Sequence, residues 1–266
     1  MPTKFDFNCD MGESFGAWRM GRDEDVLPFV TSVNVACGFH AGDPATMRRT
    51  VRLAEAHGIG IGAHPGFPDL RGFGRRNLAA TADEVRDDLV YQIGALMAFT
   101  RAKALQHVKA HGALYNMAAS GGDLARAIGE AVLETDPAMV LVVLAGSPWA
   151  DLAERMGLHV AREAFADRAL MPDGTLVPRA RPGAVIHDTA EVIERSVRLA
   201  TEGTVVAISG EVVPVKADTL CLHGDTPDAV ALASALRGAL ERAGVALVPM
   251  GRRPPEERDA STRPRA

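Results

Sequence analysis

Short apolar runs of strand-like composition alternate with helical segments along most of this chain, and most of these runs stop in a burst of polar residues. The runs fall at residues 4–8, 32–37, 59–63, 106–110, 139–144 and 159–164, with later ones at 204–208, 219–223 and 245–248. The helical segments between them are well punctuated. Asp43-Pro44 reads as a cap followed by a first-turn proline, and Gly58 closes that helix. Thr81-Ala-Asp-Glu84 is a capping box opening a long helix expected to run to about Lys103. Ser147-Pro148 and Thr226-Pro227 repeat the cap-then-proline start, and Asp188 with Glu191 opens a helix that Gly203 ends. Repeated strand-then-helix units imply parallel strands joined by right-handed crossovers.

The polar endings decide between an open sheet and a closed one. The first run ends Asn8-Cys-Asp-Met-Gly-Glu13, the second Cys37-Gly-Phe-His-Ala-Gly-Asp43, and the third Ala63-His-Pro-Gly66. The fourth ends Lys109-Ala-His-Gly-Ala-Leu-Tyr-Asn116, the sixth Glu163-Ala-Phe-Ala-Asp-Arg168, and a late one Leu222-His-Gly-Asp225. Parallel strands present their carboxyl ends on one side, where ligands bind. In an open sheet only the loops near the switch point converge, whereas in a barrel all of them do. Six endings that carry His, Asp, Glu or Lys predict an α/β barrel with one cavity at its mouth.

The bulk properties agree. A chain of 266 residues, 47% of them hydrophobic, has enough apolar side chains for the core of one closed barrel. We expect residues 1–251 to form a single α/β barrel domain. Residues 252–266, rich in Arg, Pro and Glu and almost without apolar side chains, are expected to form a disordered tail. The net charge of −5 is spread through the chain without a basic block, so nucleic acid is not an expected partner. Charged residues appear at once at the N-terminus, and no apolar stretch of about 18 residues follows, so no membrane association is expected. Cys9, Cys37 and Cys221 are odd in number and far apart, which suits a cytoplasmic protein without a disulfide framework.

Several residues carry a chemical and a structural reading side by side. His40, His64, His111 and His223 occupy equivalent places after strands. With Asp10 and Glu13 they form a candidate acid–base or divalent-metal cluster, with Asp10, His40 and His64 the first metal candidates. Each histidine alone is as well explained by a structural hydrogen bond. Lys109 lies in an apolar run two residues before His111, so both can face one side. Such a lysine either serves an anionic substrate or oxyanion or forms a buried ion pair. Asp167 and Asp225 read as a base or a salt-bridge partner, with capping a competitor at Asp225. Arg75 and Arg76, in a glycine-containing loop, suit carboxylate or phosphate binding. His57, His107 and His159 precede strands, on the opposite face, and read as structural. Gly58-Ile-Gly-Ile-Gly62 resembles a dinucleotide fingerprint, but it lies before and within a strand and is discounted.

Taken together, these blocks resemble the signatures of the LamB/YcsF family, the A subunits of bacterial 5-oxoprolinase. The resemblance rests on Asn8-Cys-Asp-Met-Gly-Glu13, Asn34-Val-Ala-Cys-Gly-Phe-His-Ala-Gly-Asp43, Ala63-His-Pro-Gly66 with Gly72-Phe-Gly-Arg-Arg76, and His111-Gly-Ala-Leu-Tyr-Asn116. Glu163-Ala-Phe-Ala-Asp-Arg168 and Asp218-Thr-Leu-Cys-Leu-His-Gly-Asp225 complete it. Ala110 stands where the family usually carries proline. The resemblance implies a (β/α)7-type barrel similar to the glycoside hydrolase/deacetylase fold. It also implies ATP-dependent hydrolysis of 5-oxoproline to glutamate together with subunits B and C. ATP would act by phosphorylating the lactam, on the partner subunits. On these grounds the catalytic candidates are Asp10, His40, His64, Lys109 and His111. The substrate-binding candidates are Glu13, Arg75, Arg76, Asp167, Arg168, His223 and Asp225. Two alternatives remain at this level: a stand-alone metal-dependent amide or carbohydrate hydrolase or deacetylase, and a non-catalytic substrate-binding subunit.

Overall fold

The computed structural model describes residues 3–222 and 228–251. Strands β1 (Lys4–Met11), β2 (Ser32–Ala36), β3 (Gly60–His64), β4 (His107–Lys109), β5 (Val140–Leu144) and β6 (His159–Phe165) pair in sequence order, all parallel. A hairpin of β7 (Thr204–Val206) and β8 (Val212–Pro214) stands apart as an antiparallel ribbon. Strand β9 (Thr219–Leu222) then pairs with both β6 and β1 and closes a seven-stranded parallel barrel. The short β10 (Ala246–Leu247) pairs with Lys4 and Phe5 of β1, below the point where β2 joins at Asn8. The predicted run at 204–208 is therefore a strand outside the barrel. The runs at 219–223 and 245–248 fall at the closing strand and at the lower rim.

Around the barrel lie α1 (Asp23–Val26), α2 (Pro44–Ala56), α3 (Ala82–Met97), α4 (Gly112–Ala118), α5 (Asp123–Thr135), α6 (Pro148–Arg155), α7 (Thr189–Glu202) and α8 (Ala229–Arg242). Asp43 caps α2 through the Thr46 amide, Thr81 and Glu84 form the reciprocal box on α3, and Asp188 caps α7, which ends at left-handed Gly203. Two local expectations change. Helix α3 stops at Met97, not near Lys103. There the Thr100 hydroxyl donates to the Met97 carbonyl and accepts from the Ala104 amide, turning the chain toward β4. Ser147 sits at the start of α6, but its hydroxyl donates to the Leu144 carbonyl instead of capping. The Thr226-Pro227 start and the tail at 252–266 lie outside the described residues.

Alternate residues of each strand point into a barrel. The outward set on β1 and β2, Phe5, Phe7, Val33 and Val35, packs in the apolar core beneath the helices. The inward set is unusually polar. Low in the barrel, Asp6 accepts hydrogen bonds from Thr31 (2.8 Å), Ser32 (2.6 Å) and Thr219 (2.5 Å). One layer higher, Asn34 Nδ2 donates to Asn8 Oδ1 (2.7 Å) and Asp10 Oδ1 (2.8 Å), and Asn8 Nδ2 donates to Thr219 Oγ1 (2.6 Å). His107 fills the same layer with Nε2 2.7 Å from Asn34 Oδ1. This corrects its reading as a strand lead-in on the opposite face. As the first residue of β4 it points inward, two residues below Lys109.

Neighbouring side chains explain Gly60 and Gly62 of the glycine run. A Cβ on Gly62 would lie 2.1 Å from His107 Nε2, and one on Gly60 would lie 2.1 Å from Gln106 Oε1. These glycines make room for neighbouring side chains inside the barrel, and no nucleotide loop is involved.

Burial first, then the Lys109 charge, push the His107 pKa down to about 3, against the smaller opposing pull of Asp10. The unfolded chain therefore binds a proton here from about pH 6.5 downward, while the folded chain stays neutral until about pH 3. Stability contributed by this group is complete above that window and is lost as pH falls through it. We expect the urea midpoint to fall between these limits, with this histidine adding a slope of up to about 1.4 kcal/mol per pH unit. His107→Gln should flatten the profile; an unchanged slope in that variant would exclude the effect.

Candidate functional site

The carboxyl ends of the strands carry the chemistry. Lys109, at the end of β4, is 2% exposed and would not tolerate burial unpaired. Its Nζ lies 3.0 Å from Asp10 Oδ1 on β1, 2.8 Å from Glu163 Oε1 on β6 and 3.1 Å from Cys221 Sγ on β9. Burial opposes its charge, but Asp10, Cys221 and Glu163 outweigh burial and hold its pKa well above the ordinary lysine value. The ammonium is therefore a permanent cation clamped between two carboxylates, with the Phe165 ring 5.4 Å away. Glu163, wholly buried, has no place among the candidates read from sequence. The signal was present: an acidic residue in an apolar run, two residues before the end of a strand whose alternation turns it inward.

Four further groups gather beside this clamp. His64 Nδ1 lies 2.7 Å from the Lys109 carbonyl oxygen, and His64 Nε2 lies 2.9 Å from His111 Nδ1 and 3.3 Å from Asp10 Oδ2. His111 Nε2 lies 2.8 Å from the Phe73 carbonyl. His40 stacks flat on His111 with ring centroids 3.7 Å apart. Glu13 Oε1 is 4.0 Å from both His40 Nε2 and His111 Nδ1. Burial lowers His40 well below the ordinary histidine value and lowers His111 to about 3, each assisted by neighbouring histidines. Glu13, His40, His64 and His111 offer ligand atoms all within 4.8 Å of one another. Asp10, a first metal candidate from sequence, lies alongside this group with one oxygen engaged by Lys109 and Asn34.

The clamp and the histidines open into a cavity of about 730 Å³. Asp10, Glu13, His64, Lys109 and His111 line it together with Tyr115, Phe165, Arg75, Arg168 and Arg179. His40 does not line it. Arg168 donates to the Val177 and Ala184 carbonyls, and burial followed by the charge of Arg179 lowers it to about 10. Arg75 is close enough to act electrostatically on both Arg168 and His111. The sequence predicts that Arg75 and Arg76 share anion binding. Arg76 instead forks onto the buried carboxylate of Asp69 and does not line the cavity. Asp167 also lies off the cavity wall, and its carbonyl accepts from the Ile186 amide. Arg179, which sequence reasoning missed, reaches the wall from a long loop without strand or helix periodicity. His223 and Asp225 lie outside the described residues.

A closed parallel barrel with a cavity lined by ionisable side chains at its carboxyl-terminal mouth defines the chain as a (β/α)7-type barrel, similar in fold to glycoside hydrolases. A GH113 β-1,4-mannanase shares the fold at 10% identity, with a TM-score of 0.51 over 90% of this chain and 99% of that one. The family model for the LamB/YcsF family matches residues 5–254, and the chain belongs to that family. A Pyrococcus horikoshii protein, named as the A subunit of 5-oxoprolinase, is 55% identical over 249 residues, 93% of this chain and 98% of the relative. The crystal structure of a lactam utilization protein from Thermus thermophilus superposes with a TM-score of 0.88 at 49% identity. It covers 93% of this chain and 100% of that one. Among the described residues no helix is long and apolar enough to cross a membrane.

Proposed function

We propose that this chain is the A subunit of an ATP-dependent 5-oxoprolinase, acting with subunits B and C to hydrolyse 5-oxoproline to glutamate. The observation that carries this reading is the Lys109 ammonium clamped by Asp10 and Glu163 on the wall of a cavity that arginines also line. The names of the family's relatives support it.

The chemistry follows from the substrate. A five-membered lactam resists hydrolysis because its nitrogen leaves poorly. Phosphorylation of the amide oxygen by ATP, on the partner subunits, makes the ring carbon electrophilic and turns that oxygen into a leaving group. Water attacks the carbon to give a tetrahedral intermediate, whose ring C–N bond breaks as the nitrogen takes up the hydroxyl proton, leaving a γ-glutamyl phosphate. A second water then attacks this acyl phosphate, its C–O bond to phosphate breaks, and glutamate and phosphate are released. In this chain Lys109 faces the developing oxyanion, where a fixed cation in a dry site is most effective. Asp10, which lines the cavity beside Lys109, accepts the proton from water. Arg75, with Arg179, holds the substrate carboxylate or the phosphate.

The test is glutamate release from 5-oxoproline by the chain alone and with both partners, with and without ATP. We expect release only with ATP and all three subunits. ATP-independent turnover by the chain alone would replace this reading with that of a stand-alone hydrolase. Full turnover in a complex carrying Asp10→Asn and Lys109→Met would make the chain a binding subunit only.

A further inference from the structure

The histidine group beside the clamp contains an electrostatic conflict. A backbone carbonyl can only accept a hydrogen bond, so the ring nitrogens facing the Lys109 and Phe73 carbonyls, His64 Nδ1 and His111 Nε2, each carry the proton. In neutral rings the other nitrogens, His64 Nε2 and His111 Nδ1, then present lone pairs, and they face each other at 2.9 Å. Two lone pairs at that distance repel unless a cation lies between or beside them. A second observation is independent of this one. His40 is wholly buried, and among the described residues neither of its ring nitrogens has a hydrogen-bond partner. Orphaned buried polar atoms of this kind are rare and costly.

We propose that Glu13, His40, His64 and His111 bind one first-row divalent transition-metal ion. Metal-ligating histidines characteristically donate their outer N–H to a carbonyl or carboxylate, which fixes the tautomer and aims the inner lone pair at the ion. His64, at the end of β3, and His111, just before α4, are both held in this way. The carboxylate of Glu13, 4.0 Å from His40 Nε2 and from His111 Nδ1, supplies a negatively charged ligand on the cavity side. Three imidazoles and one carboxylate, without a thiolate, suit zinc, iron, cobalt or nickel in the divalent state better than magnesium or calcium. With bonds of about 2.1 Å, ligand atoms on one ion lie at most about 4.2 Å apart. The widest separation, 4.8 Å, must therefore close slightly. His40, parallel to His111, must also tilt to aim its nitrogen. Such an ion borders the cavity next to Asp10 and could polarise a bound oxygen there.

This inference stands whatever the substrate, so its test reads metal and not turnover. Full-length protein is stripped with chelator, dialysed and titrated with Zn(II) or Co(II), following calorimetry, bound metal and the visible spectrum of cobalt. We expect one equivalent per chain, a higher melting temperature with metal, and at least about tenfold weaker binding in Glu13→Gln and His111→Gln. Glu13 is at the cavity edge, so its variant keeps the question answerable if His111→Gln fails to fold. Failure to bind either ion stoichiometrically would overturn the site, as would unchanged affinity in Glu13→Gln. In that case a shared proton resolves the His64–His111 contact. Loss of glutamate release with intact metal binding would count against the lactam reading and leave this one standing.

Discussion

Lys109→Met is expected to lower glutamate release by the proposed three-subunit complex by roughly a thousandfold, the scale on which loss of a fixed oxyanion donor is felt. The substitution also has a structural cost that must be separated from the chemical one. With the ammonium gone, Asp10 and Glu163 share a buried site without compensation, and breaking a buried pair in this way costs about 3–5 kcal/mol. Lys109→Met should therefore lose stability as well as turnover. Adding Glu163→Gln removes one of the two stranded charges, and the double variant should recover much of the stability but none of the turnover. Urea unfolding and single-turnover glutamate release on the same preparations make the comparison. If the double variant regained activity along with stability, Lys109 would be a structural ion-pair partner and not part of the reaction.

Trp149→Ala is expected to cost about 3–5 kcal/mol, which for a chain of this size lowers the melting temperature by on the order of 10 °C. Trp149, the second residue of α6, is fully buried and meets Tyr115 edge-on at 5.5 Å between ring centroids. Tyr115 meets Phe165 at 6.0 Å, and Phe165 lies against Lys109. Removing the indole therefore takes out the foot of an aromatic stack that ends at the clamp. Trp149→Phe, which keeps a ring there, should recover most of the loss. Thermal melts of the three proteins check this, and a loss under about 1 kcal/mol in the alanine variant would show that the stack collapses onto the gap without penalty.

How much was legible in the sequence depends on whether the information is local. The polar endings after Asn8, Cys37, Ala63 and Lys109 follow from strand direction alone, and the structure brings Asp10, Glu13, His40, His64, Lys109 and His111 together at one mouth. Caps at Asp43, Thr81 and Asp188 are encoded within four residues and were equally readable. Partner choice was not. Arg75 and Arg76 are neighbours, yet only a fold that buries Asp69 decides that Arg76 turns away. His107 was misjudged because the lower half of a barrel strand points inward as surely as the upper half. Here the interior is lined with amides and hydroxyls in place of the usual branched aliphatics. The inward direction of Glu163 follows from the alternation of β6, but its pairing with Lys109 depends on how β6 sits in the closed ring.

The long excursion between β6 and β9 leaves one barrel strand and returns on the strand next to it. It carries α7, the hairpin, Arg168 and the stretch around Arg179 that walls the cavity. Because departure and return are adjacent, this segment can be lengthened, shortened or exchanged without changing the number of staves or their stagger. The molecule thus separates what must stay constant, a ring of strands holding the reactive groups, from what can be retailored. A graft of this segment alone between family members is the natural unit with which to reshape the cavity.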